Sequence, residues 1–89
     1  MSQYQFDYRE IAHKASQLLC NKSGVNLHDR CVALIYFCIE AGITDGNQIV
    51  SAVHRIDPAL KPAFVGIKLK HPAGEGFWHK KPGVGYVLN

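Results

Sequence analysis

Over the first two thirds of the chain, apolar residues recur every three or four positions; near its end they alternate. Tyr8, Ile11, Ala12, Ala15, Leu18 and Leu19 form the first stripe, with Arg9, Lys14 and Gln17 outside it. That spacing predicts a helix over 8–22. Asp7 can cap it, Glu10 can reach back three residues, and Phe6 and Ile11 stand at the two positions of a hydrophobic staple. Gly24 offers the left-handed residue that ends such a helix. Asn26 then caps a second helix, with Asp29 in its first turn, where a carboxylate favours the dipole. Residues 31–39 are apolar nearly all round, the mark of the central helix in a small fold. Gly42 ends it, and Ile43 can close the contact that accompanies a terminal glycine.

Thr44-Asp45-Gly46-Asn47 is a third start signal, followed by one stripe of Ile49, Ala52, Val53 and Ile56. Asp57-Pro58 stops that helix, because the residue before proline is pushed out of the α region. Between Pro58 and His71 two patterns compete. Leu60, Ala63, Phe64 and Ile67 make a helical stripe, while residues 65–70 also alternate like a strand, and Pro62 and Gly66 weaken a helix. Pro62 would clash with the carbonyl of Pro58 if a helix had already begun there. The resolution is a turn over 58–61 and a short helix over about 62–70, with Phe64 and Ile67 facing inward and Lys61 and Lys68 outward.

Pro72 to Gly76 break the chain. Phe77 to Lys80 and Gly85 to Leu88 then read as two strands joined by Lys81-Pro82-Gly83-Val84, with Pro and Gly at the positions a type II turn requires. If Lys81 pairs with Val84, His79 faces Tyr86 and Phe77 faces Leu88 on one side, and Trp78 shares the other with Val87. Trp78 reads as a packed aromatic. A hairpin of this size is not stable alone and must lean on the helices before it.

With 89 residues the chain makes one small α+β domain, mainly α: three to four helices and a C-terminal hairpin. Three cysteines without C-x-x-C spacing fit a reducing cytoplasm. No secretion signal is visible at the first residues. The longest apolar run is nine residues, about half of a bilayer span, so no membrane partner is expected. Cys31 and Cys38 share a helix face with Leu34 and Ile35 and read as buried hydrophobes. Cys20, His28, His54, His71 and His79 lack metal-ligand spacing, and Gly74-Glu75-Gly76 is too short for a phosphate loop. Neither a cofactor nor a catalytic activity is expected.

Charge is uneven along the chain. Residues 1–57 carry five basic and six acidic side chains, whereas residues 58–89 carry five lysines against Glu75 alone. The positive excess lies entirely in the last third, which suggests a polyanion for that end. A solubilising surface, or lysines that protect a strand edge, is the structural alternative.

Residues 43–67 have the rhythm of a helix-turn-helix, and Lys80-Lys81-Pro82-Gly83-Val84-Gly85-Tyr86-Val87-Leu88 follows it. Here the chain resembles the winged helix-turn-helix superfamily of bacterial transcription regulators. The hairpin is similar to the Gly-x-Gly-Tyr-x-Leu wing of response-regulator output domains. The resemblance covers about residues 27–89; neither a receiver domain nor an N-terminal antiparallel sheet accompanies it. It implies an extra N-terminal helix within 1–24, a helical body over 27–71 and a wing over 76–89. It also implies sequence- or shape-specific binding of double-stranded DNA by a small regulator of bacterial or phage type. Lys61, Lys68, Lys70 and His71 on the second helix, with His79, Lys80 and Lys81 at the wing, are the expected contacts. Lysines suit phosphates, and no Arg, Asn or Gln lies between positions 56 and 88, so hydrogen-bonded base reading would be thin. A homodimer through the N-terminal helix would supply a second half-site. The alternative partner is a protein, with the winged helix serving as a docking module in a phage-type inhibitor or an assembly subunit.

Overall fold

Three of the four described helices start on a polar side chain within a start signal of the sequence. In the computed structural model, which describes residues 7–20, 26–70 and 76–89, Asp7 Oδ1 accepts the N–H groups of Arg9 and Glu10 at 3.1 Å. Helix α1 follows as Tyr8–Leu19. Asn26 Oδ1 accepts the Asp29 N–H at 2.8 Å and opens α2, Leu27–Glu40; Asp45 Oδ2 accepts the Gln48 N–H at 3.1 Å and opens α3, Gly46–Ile56. Each bond satisfies a donor that has no partner within its own helix. Helix α1 ends on Cys20; the expected end at Gly24 and the staple residue Phe6 lie outside the described residues.

Helix α2 closes in a Schellman motif. Gly42 adopts φ 105°, its N–H donates to Ile39 O at 2.9 Å, and the Ile43 N–H donates to Cys38 O at 3.0 Å. Ile43 is buried, the apolar contact expected after a terminal glycine. Cys31, Ile35 and Cys38 of α2 are fully buried. The helix packs against α1, α3, α4 and the hairpin at once, which is why it can be apolar nearly all round.

Asp57 organises the junction between α3 and the fourth helix. Its backbone is extended, its Oδ1 accepts the Ala59 N–H at 3.2 Å, and its carbonyl accepts the Leu60 N–H at 2.9 Å. Its other oxygen pairs with the Arg30 guanidinium of α2. Leu60 is fully buried in this turn, and its carbonyl accepts from His54 Nδ1 at 3.0 Å. Helix α4 then runs Pro62–Lys70, so the helical resolution of this stretch holds. Its predicted inner face does not. Val65 and Leu69 are buried, Phe64 is half-buried, and Ile67 is 61% exposed. The stripe fails because Leu60 belongs to the preceding turn and cannot set the phase of a helix that begins two residues later.

The C-terminal pair is β1, Trp78–Lys81, and β2, Gly85–Leu88, in an antiparallel sheet. Its register differs by one residue from the expected one: Trp78 opposes Leu88, His79 opposes Val87, Lys80 opposes Tyr86 and Lys81 opposes Gly85. The turn itself is as predicted, with Val84 N–H donating to Lys81 O at 3.1 Å and Gly83 at φ 80°. Val84 is an extra residue, absorbed because Gly85 also takes positive φ, at 116°, so the connection holds three residues rather than two. Trp78 and Tyr86, expected on opposite faces, therefore share the buried one.

Two hydrogen bonds fasten this hairpin. Trp78 Nε1–H donates to Leu69 O at 3.0 Å, and the Tyr86 N–H donates to Thr44 O, between α2 and α3, at 2.8 Å. The chain is thus α+β and mainly helical, with the hairpin seated where α4 ends and α3 begins. A Cβ at Gly85 would lie 2.4 Å from Thr44 O. Gly85→Ala is therefore expected to lower stability in urea denaturation by about 2–4 kcal/mol, from positive-φ strain and the collision together. An unchanged midpoint would mean that this close approach does not exist.

Candidate nucleic-acid interface

Between the hairpin and the α3–α4 pair lies an open groove of about 580 Å3. Asn47 and Val50 of α3 form one wall, Ala63, Gly66 and Lys70 of α4 another, and Lys80 and Val84 of the hairpin the third. The docking bonds from Trp78 and Tyr86 fix how these walls meet. Lys70 and Lys80 come from different elements and line the same groove.

The other predicted contacts divide. Lys61 is exposed at the start of α4, where its carbonyl accepts the Val65 N–H at 3.0 Å. Lys81 is exposed at the hairpin turn. Lys80 is exposed too, with its Nζ 5.8 Å from the Tyr86 ring centroid, a distance at which the ring favours the cation. Lys68 departs from expectation: it is half-buried, and its Nζ lies 5.2 Å over the Phe64 ring instead of facing outward. Its charge acts on Cys31 of α2. His79 occupies the opposite face of the hairpin from Lys80, by the alternation of the strand, and its Nδ1 meets Asn89 Oδ1. His71 lies outside the described residues.

The solvent face of α4 carries little polarity. Ala63, Gly66, Ile67 and Lys70 follow the i, i+3, i+4, i+7 spacing of one helix face, and Ala63, Ile67 and Lys70 are exposed. The sequence reading missed this strip because its phase came from Leu60. The signal that locates it is the pair Val65 and Leu69, four apart, which turns the opposite side outward.

No family model, curated protein or solved structure matches the chain. Its own chemistry is therefore the guide: two lysines, the amide of Asn47 and apolar side chains line the groove, with Asp45 there as well, accepting the Gln48 N–H as the α3 cap. Burial pushes the Cys31 thiol up to about 11, partly offset by the Lys68 charge, and the Cys38 thiol up to about 12. Both stay protonated at neutral pH and pack as hydrophobes, as the sequence suggested. Among the described residues no group of three or more His, Cys, Asp or Glu side chains is arranged to hold a metal ion. No helix among them is long and apolar enough to cross a membrane.

A second concavity lies elsewhere. It measures about 630 Å3 and is lined mainly by apolar residues, Leu18 and Leu19 of α1, Val32, Tyr36 and Phe37 of α2, and Phe77, with His28, Asp29 and Glu40 of α2 among them. Leu18 is 57% exposed and Phe77 48%. Phe77 meets the Tyr36 ring edge-on at a centroid distance of 6.3 Å, an attractive geometry for aromatic rings.

Proposed function

We propose that the chain is a winged helix-turn-helix protein that binds double-stranded DNA, with α4 as the groove-entering helix and the hairpin as its wing. The observation that carries this reading is the convergence of Lys70 and Lys80 on one groove from two separate elements. Element order supports it, with helices followed by a hairpin whose second strand bonds back to Thr44, between α2 and α3. The uneven charge supports it as well, since all the excess lysine lies beyond residue 57. Lysines neutralise phosphates and position a protein on a duplex, while the helix between them meets base edges. The role proposed with that mode of binding is that of a small transcriptional regulator.

Four lysines, Lys61, Lys70, Lys80 and Lys81, are the expected phosphate contacts, since Lys68 is engaged with Phe64. Binding to a random duplex, followed by fluorescence anisotropy across a salt series, should give a log–log slope of roughly −3 to −4. Lys70→Glu with Lys80→Glu should weaken binding roughly tenfold or more at 0.1 M salt, and Lys68→Gln should leave it near wild type. A protein that ignores duplex DNA at low salt, or whose binding survives the double reversal, refutes this reading.

The concavity beside α1 favours a protein contact as well. Helix α4 has only nine residues, and regulators with short reading helices gain range by presenting two copies to two half-sites. A second copy pairing through Leu18, Tyr36 and Phe77 would supply this and cover the apolar surface. Leu18→Asp with Phe77→Ser is then expected to convert a dimer to a monomer in sedimentation velocity. A wild-type protein that sediments as a monomer at high micromolar concentration rules the pairing out.

A further inference from the structure

Gly66 sits in the middle of α4 without a reason inside its own fold. Its φ is not positive, and a Cβ built on it would meet no described residue within 4 Å. Glycine at such a position weakens a helix relative to alanine, so neither backbone conformation nor packing accounts for it. What a missing side chain provides is close approach to the helix backbone from outside. The neighbours on that face are Ala63 and Ile67, small or apolar, and Lys70 at its end; Ile67 alone is 61% exposed. The groove beside them is rimmed by Lys70 and Lys80.

On the DNA-binding reading, from which this step proceeds, that face enters the major groove. Among the described residues it carries no side-chain hydrogen-bond group except the Lys70 ammonium. Among the features that base pairs expose there, the thymine C5 methyl is the one an apolar surface recognises. We infer that the strip Ala63–Gly66–Ile67 selects duplexes by contact with thymine methyl groups, with Gly66 letting the helix come close enough. Lys70 and Lys80 hold the flanking phosphates, and the occupant is a thymine-bearing duplex. Charge complementarity argues for it over an apolar protein surface: Lys70 and Lys80 border the strip, and the one carboxylate that lines the groove, Asp45, accepts the Gln48 N–H as the α3 cap.

The test begins with the full chain and a random-sequence duplex pool. The enriched duplex is then remade with deoxyuridine at every thymine, which removes the methyl and keeps the pairing. Wild-type protein should bind the uracil duplex about fourfold more weakly for each methyl in contact. Ile67→Ala should bind both duplexes with similar affinity. Gly66→Ala should raise the melting temperature, because a helix gains from alanine in open space, yet weaken duplex binding. That combination separates a contact surface from a structural site.

Duplex binding with equal affinity for thymine and uracil overturns the methyl contact and leaves DNA binding intact. Gly66→Ala protein that binds as tightly as wild type overturns the close approach. Failure to bind any duplex overturns the DNA reading and this inference with it, and capture of a protein through Ile67 would have the same effect.

Discussion

The indole N–H of Trp78, donated to the carbonyl of Leu69, is the bond on which the rest of the surface depends. Leu69 lies in the last turn of α4, where carbonyl groups have no partner within the helix. A buried aromatic from the hairpin fills that need and fixes the end of the helix and the first strand in one act. The bond from Tyr86 N–H to Thr44 O does the same for the second strand, at the entrance to α3. A four-residue pair of strands has little stability of its own. Here it is held by two backbone carbonyls of the helical body, those of Leu69 and Thr44. The lysines at its turn are positioned by this docking, and Lys80 in addition by the Tyr86 ring beneath its ammonium.

Much of this was legible in the chain. Caps at Asp7 and Asn26, and a start signal over Thr44-Asp45-Gly46-Asn47, were readable because a short polar side chain before an apolar stripe has one good use there. The burial of Cys31 and Cys38 followed from their place among Leu34 and Ile35. Pro62, awkward within a helix that had begun at Pro58, correctly marked the start of α4. Two errors share a cause. Phase was counted across a connection, from Leu60 into α4 and from Lys81 across the turn into β2: Leu60 lies in the turn before the helix, and the hairpin connection holds a residue more than the count assumed. One displaced residue in a strand exchanges its faces, so Trp78 and Tyr86 were assigned to opposite sides. In α4 the same kind of slip hid the outer strip and misplaced Lys68.

The resulting surface has an unusual division of labour. Its cations stand at the margins, Lys70 at the end of α4 and Lys80 on the hairpin. The helix face between them is nearly free of polar side chains. The margins suit phosphate, and the centre suits methyl groups or another apolar surface. The Arg30–Asp57 and Lys14–Glu40 pairs belong to a different set of contacts. They join α2 to the turn after α3, and α1 to the end of α2, and neither involves a lysine that lines the groove.

Whether hairpin and helices form one rigid unit can be read directly, because Trp78 is the one tryptophan in the chain. Its fluorescence reports the docked hairpin, while far-ultraviolet circular dichroism reports the four helices. Followed together through a urea titration, the two signals should fall along a single curve with one midpoint. Loss of the tryptophan signal at clearly lower urea than the helical signal would mean that the hairpin detaches on its own. The groove between Lys70 and Lys80 would then have no fixed shape.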